Sequence, residues 1–184
     1  FYHLVYSGRG EAMVDQDVSL EDSRRAMDTI IRRTKDFEAR GLEKEILTVD
    51  NHCDGVYMYL KALADGETET AAQIKKYLAM NGGNRSGIAF GEVDPQGYVH
   101  PDQFTQHHTF GNVRERAFGD IWQDTTNPIM AGLKDRKPLL TGRCAKCKWL
   151  SACNGNFRTR AEAVTGDFWA SDPACYLTDE EIGL

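Results

Sequence analysis

The chain has 184 residues, 41% of them hydrophobic, and only five prolines, which excludes a disordered chain and leaves room for one medium domain or two small ones. Its net charge is −6, no apolar run approaches the ~20 residues of a membrane span, and no signal-peptide pattern opens it, so a soluble, cytoplasmic protein without a nucleic-acid partner is expected. Five cysteines in such a chain argue for metal or catalysis rather than disulfides.

In chain order, residues 1–6 predict a buried strand, and a start inside an apolar stretch without Met reads as a cut end. Ser7-Gly8-Arg9-Gly10 predicts a turn that allows close backbone approach. Ser19 is the expected N-cap of a helix, with Asp22 three residues on. Met27, Ile30, Ile31, Thr34 and Phe37 then recur at helical spacing until Gly41 stops the run. Residues 45–50 predict a second strand, and strand-helix-strand favours a parallel sheet. After Gly55, helices are expected at about 56–64 and 70–80, and Asn81-Gly82-Gly83-Asn84 is the candidate boundary between residues 1–83 and 84–184. Residues 87–93 and 98–100 flank Asp94-Pro95-Gln96-Gly97 and predict a β-hairpin. Short helices are expected at 118–123 and 129–135, with Pro128 suited to a helix start.

Cys144, Cys147, Cys153 and Cys175 follow the pattern C-x2-C-x5-C-x21-C. Soft thiolates select zinc, copper(I) or iron-sulfur clusters over hard cations. Structural zinc sites come as two short pairs, whereas one pair followed by single cysteines leans towards a 4Fe-4S cluster; zinc stays open on spacing alone. Residues 134–160 hold eight Lys or Arg and one acidic residue. Such a patch would stabilise an anionic cluster or attract an acidic redox protein or a polycarboxylate, unless it is simply a solvated surface.

The cysteine block with Asn154-Gly155-Asn156-Phe157-Arg158 and Asp172-Pro173-Ala174-Cys175 resembles the auxiliary-cluster region of radical SAM enzymes of the SPASM and twitch type. Gly97-Tyr98-Val99-His100-Pro101, Gly111-Asn112-Val113 and Ile121-Trp122 resemble that family's hairpin, turn and dipeptide. Many members carry a Cys after the hairpin Pro that ligates a second auxiliary cluster; here Asp102 stands there, so one auxiliary cluster is expected, on Cys144, Cys147, Cys153 and Cys175. Residues 2–10 and 49–55 look like the last barrel segments of the tetrapyrrole-modifying branch, nearest to haem d1 biosynthesis proteins of the NirJ type. The resemblance implies an α/β fold, in which the C-terminal strands and helices of a partial (β/α) barrel (1–83) precede a small hairpin-plus-helix iron-sulfur domain (84–184). It implies replacement of two propionates of didecarboxysirohaem by oxo groups, started by a 5'-deoxyadenosyl radical. An iron tetrapyrrole substrate and an electron donor such as a ferredoxin or flavodoxin follow from it. So do SAM and a second 4Fe-4S cluster in an intact enzyme, since the C-x3-C-x2-C motif that binds the SAM-cleaving cluster occurs nowhere in this chain. A peptide-modifying SPASM enzyme, a haem-route propionate decarboxylase, a structural zinc module and a small redox carrier are the alternatives.

Arg9 is a candidate partner for a carboxylate of SAM or of a propionate, or else a surface turn residue. Asn51 and His52 follow the second expected strand at the equivalent barrel position, where His52 could ligate iron or donate a proton, or be a satisfied strand-end histidine. Cys53 reads as a buried thiol. His107 and His108 could ligate iron, although exposed loop histidines are the default. Trp149 and Trp169 are candidates to shield the cluster. Arg158 and Arg160 are expected to hold the cysteine loop by hydrogen bonds.

Overall fold

The computed structural model describes residues 1–6 and 10–184, so most of the turn expected at residues 7–10 lies outside the described residues. After a short helix α1 (Gly10–Val14), Ser19 caps the longest helix, α2 (Leu20–Ala39), its hydroxyl accepting the Asp22 amide at 3.0 Å. Met27 on the apolar face is fully buried, and Ile30 and Ile31 pack beside it. Gly41, at φ 66°, follows the last turn, where a left-handed residue suits glycine.

The two strands expected at residues 1–6 and 45–50 shrink to one parallel bridge between Tyr2 and Val49. It is carried by the His3 amide to Val49 O at 3.2 Å and the Val49 amide to Phe1 O at 3.0 Å. The direction agrees with a strand-helix-strand unit. The extent does not, because Tyr2 is 78% and Leu47 63% exposed, and no further strand among the described residues flanks the pair to extend the ladder.

Helix α3 (Cys53–Ala64) begins three residues earlier than its pattern suggests and runs through Gly55. That glycine is a packing contact with α4 (Thr68–Asn81) rather than a break: a Cβ there would lie 2.7 Å from Leu78 Cδ2. Gly82 closes α4 in the left-handed region, φ 68°. Gly83 then presses directly on the cysteine loop, where an added Cβ would come within 2.1 Å of the Cys153 carbonyl carbon.

The hairpin is shorter than expected, β1 (Glu92–Val93) pairing antiparallel with β2 (Val99–His100) in the register Val93–Val99. Its turn matches the sequence: Asp94 Oδ1 accepts the Tyr98 amide at 2.8 Å, and Gly97 sits at φ 92°. Gly111-Asn112-Val113 folds back beside β2 through the Val99 amide to Gly111 O and the Val113 amide to Gly97 O, both 2.9 Å. Helices α5 (Phe118–Gln123) and α6 (Pro128–Lys134) follow where expected, and the Asn127 side chain caps α6. A 3-10 turn (Lys137–Leu139) leads to α7 (Gly142–Lys146), α8 (Leu150–Cys153), α9 (Arg158–Thr165) and α10 (Asp179–Ile182).

The fold is therefore mixed, with helices around one two-stranded sheet among the described residues. One apolar core joins its ends: Met27, Val56 and Tyr57 pack with Ala152, Tyr176, Leu177 and Ile182. Each large apolar side chain buried there contributes about 1.5–3 kcal/mol, so the first helices form the floor of the cysteine loop.

Candidate metal centre

The four cysteines come from three pieces of local structure. Gly142, at φ 60°, opens α7, and the Ser171 hydroxyl accepts the Cys144 amide at 3.0 Å while donating to Thr141 O at 3.0 Å. Cys147 ends the first turn, and the Trp149 amide donates to its sulfur at 3.3 Å. Cys153 ends α8 and is followed by three consecutive left-handed residues, Asn154, Gly155 and Asn156, at φ 52°, 76° and 59°. This reversal aims the Gly155 amide at the Cys153 sulfur. Cys175 returns after α9, with the Leu177 amide directed at its sulfur.

The four sulfurs line one cavity with Val56, Trp149, Leu150, Leu177 and Ile182 as apolar walls. Burial pushes the Cys153 thiol up to about 12 and raises Cys147. A metal must therefore displace protons here, while the amide donors offset the cost of the thiolates. The donor set fits a thiolate-held iron-sulfur cluster. Cys53, remote in sequence, lines the same cavity beside Cys175 and is 3% exposed. Burial holds its own thiol above the usual value, whereas hydrogen bonding from Cys53 holds Cys175 below it.

Around the cavity the loop is knitted by buried polar groups. Arg160, fully buried, forms a two-point pair with Asp172, both bonds 2.8 Å, and reaches Leu4 O and Asp50 O. Asp172 in turn accepts the Phe157 and Ala174 amides at 3.0 and 2.9 Å. Arg158 donates to Gly155, Phe168 and Ala170 carbonyls, and Arg136 to Asn84 Oδ1, Ser86 O and Asn154 O. Arg158 and Arg160 hold the loop as expected. Three of the eight cations in the basic stretch thus lie inside the protein, 3% exposed or less, instead of forming a solvated patch. Sequence reasoning assigned no role to Arg136, Asn156 or Asp172; only the Asn-Gly-Asn run, which favours left-handed backbone, hints at the reversal.

The other candidates fall in different places. Arg9 lies outside the described residues. Asn51 is buried, and its amide is taken up by Ala174 O at 2.9 Å, the Asn156 side chain at 2.7 Å and the Cys53 amide at 3.2 Å. His52 stacks on Phe157 with centroids 6.0 Å apart, and burial lowers its pKa to about 4, so the ring is neutral. Asp54 accepts from Tyr176 Oη at 2.6 Å and pairs with His3 Nε2 at 3.1 Å. These groups tie the segment after the parallel bridge to the cysteine loop. Trp149 walls the cavity and bonds Glu181 O at 2.8 Å. Trp169 does not wall it: its ring lies over Gly132 of α6, where a Cβ would come within 2.4 Å. Asp102 is buried and caps a turn, accepting the Phe104 amide and the Thr105 hydroxyl at 2.9 and 2.8 Å.

Residues 90–148, from the hairpin through Cys147, match the SPASM family, described as an iron-sulfur cluster-binding domain. The resemblance drawn from the cysteine and hairpin motifs is thereby borne out. The chain is 59% identical over its whole length to the Fe-coproporphyrin III synthase of Methanosarcina barkeri, covering 46% of that protein. It is 42% identical over 98% of its length to the pre-heme d1 synthase of Dinoroseobacter shibae, covering 45%. An AdoMet-dependent heme synthase of M. barkeri is 33% identical over 58% of the chain. The chain spans about half the length of the first two relatives, and all three are named as synthases. No helix among the described residues is long and apolar enough to cross a membrane.

Proposed function

We propose that this chain is the auxiliary-cluster part of a radical SAM enzyme of iron-tetrapyrrole synthesis. In this reading Cys144, Cys147, Cys153 and Cys175 hold one 4Fe-4S cluster, residues 1–83 close a partial (β/α) barrel, and residues 84–184 form the cluster domain. The observation that carries it is the convergence of four half-buried thiols, brought from three pieces of local structure, in one largely apolar cavity within a SPASM-matching chain. Their spread favours a cluster over one zinc ion. Among the described residues, the only three-ligand group with all donor atoms within 4.8 Å contains no cysteine, whereas tetrahedral zinc with ~2.3 Å bonds would draw sulfurs to about 3.8 Å.

Such a cluster supplies one-electron exchange, and four cysteine ligands leave no open iron position, which favours electron relay over substrate binding. The protein's own residues dry the cavity with Trp149 and Leu177, aim amides at the sulfurs and fix the loop through Arg158 and Arg160. SAM, a second 4Fe-4S cluster and a ferredoxin or flavodoxin donor belong to the intact enzyme in this reading.

The substrate class is an iron tetrapyrrole. Two product readings divide it: replacement of two propionates of didecarboxysirohaem by oxo groups on the way to haem d1, and a product of the Fe-coproporphyrin III type. The higher identity to the M. barkeri Fe-coproporphyrin III synthase favours the second. Two measurements test the proposal. Iron, acid-labile sulfide and zinc content of anaerobically purified protein should give about four irons and four sulfides for the auxiliary cluster; one zinc and no sulfide after reconstitution would refute it. The mass of the product formed by the intact enzyme from didecarboxysirohaem, SAM and a reductant separates the two product readings, and no turnover of any iron tetrapyrrole would refute both.

A further inference from the structure

Outside the cysteine cavity, one cluster brings together three side chains of metal-ligating type. His107 and His108 are neighbours in the turn after the hairpin, and Glu162 stands on α9; one ligand atom from each lies within 4.8 Å of the others. His107 Nε2 is 2.7 Å from Glu162 Oε2, and His108 Nε2 is 3.1 Å from Oε1. Both imidazoles thus direct the same ring nitrogen to one carboxylate, although the residues are 54 and 55 positions away from it.

The ligands are held from behind. His100, 2% exposed in β2, bonds the His108 carbonyl through Nδ1 at 3.1 Å and Asp94 through Nε2 at 3.3 Å, fixing the backbone of the histidine turn. Phe168 packs edge-on against the His108 ring at 5.2 Å. Glu162 is carried on the helix that Arg158 and Arg160 anchor to the cysteine loop. The outer side is open, where the His107 side chain is 46% exposed against 24% for His108 and 26% for Glu162.

We infer that His107, His108 and Glu162 form a second, mononuclear site for a divalent first-row transition ion. Two imidazoles and a carboxylate suit zinc or iron(II) and are too few in oxygens for calcium or magnesium. Three ligands leave positions open towards solvent for water or an anionic group. The site is separate from the four thiols in ligand chemistry, so it stands whether or not the cluster reading does.

The test uses the intact protein as purified, its iron content recorded, and zinc as the probe. One equivalent of zinc should be retained after desalting without loss of iron, and its X-ray absorption edge should show a first shell of nitrogen and oxygen with imidazole scattering. Glu162→Gln and His107→Ala should each weaken zinc binding at least about tenfold, the scale that loss of even an outer partner commands. His107 is the control for folding, since it is the most exposed of the three and keeps the loop anchors intact. Retention of zinc by the His107→Ala variant at wild-type strength, sulfur in the zinc shell, or no retained zinc would overturn the inference and leave the trio as a hydrogen-bonded cluster.

Discussion

The first 81 residues and the remaining 103 are held together in different ways. The first part is mostly helix, its longest element ordered by one apolar face and its ion pairs largely exposed, such as Lys35 with Asp65 and Glu67. The second part is mostly turns and short helices, with Arg136, Arg158 and Arg160 buried against backbone carbonyls. Long helices satisfy their own backbone and need only a face to bury. A cysteine loop that must present thiols from several directions leaves carbonyls unpaired, and fixed guanidinium forks meet that need.

The sharpest way to break the comparison is to remove a ligand. Cys153→Ala should lose the iron and raise amide exchange across residues 140–177, because a metal-closed loop loses much of its folding free energy without metal. Protection in α2 should change far less. Cys53→Ala, beside Cys175 in the same cavity, should keep its iron; iron loss there would reassign the ligands.

Removing a buried cation is the next largest effect. Arg160→Met leaves Asp172 charged and buried, which costs about 3–5 kcal/mol, read as a lower midpoint in denaturant. Arg160→Lys keeps the charge but not the fork, and should recover only part of the loss. A change below 1 kcal/mol in Arg160→Met would show that the loop does not depend on its polar knitting.

The same contrast decides what could be read from the sequence. Helix α2 was legible because Met27, Ile30 and Ile31 recur on one face and Ser19 marks its start. The hairpin was legible through Asp94 and Gly97, and the gathering of Cys144, Cys147, Cys153 and Cys175 around one cavity through their spacing. Gly55 was not, since a glycine that admits Leu78 looks like one that ends a helix. The buried arginines were hidden because a run of Lys and Arg looks the same whether it is solvated or folded inward. Asn51 was read as a candidate binding group at a strand end, and the pattern gave no sign of the bonds its side chain makes with Ala174, Asn156 and Cys53. Local pattern reports faces and turns; it does not report which distant carbonyl a polar side chain will meet.

A pH dependence follows from the seam between the two parts. His52 takes its proton near 6.5 when unfolded and only near 4 when folded, because burial disfavours the cation. The unfolded chain therefore binds the extra proton first, and stability falls as pH drops from about 6.5 to about 4, by at most about 3 kcal/mol. In His52→Gln that part of the slope should vanish. An unchanged slope would assign acid sensitivity elsewhere.

The smallest expected effect is at the surface of the first part. Lys35 Nζ lies 2.9 Å from Asp65 and 2.7 Å from Glu67, with all three side chains more than a third exposed. Lys35→Met should cost about 1 kcal/mol or less, since water screens such pairs and ordering the side chains opposes them. Added salt should reduce the wild-type advantage further, because the Debye length falls to about 3 Å at 1 M. The Arg160 pair is shielded from solvent, so the cost of Arg160→Met should barely change with salt. Equal salt sensitivity at the two positions would mean that water reaches the cysteine loop, and the division between a helix-held part and a polar-knitted part would fail.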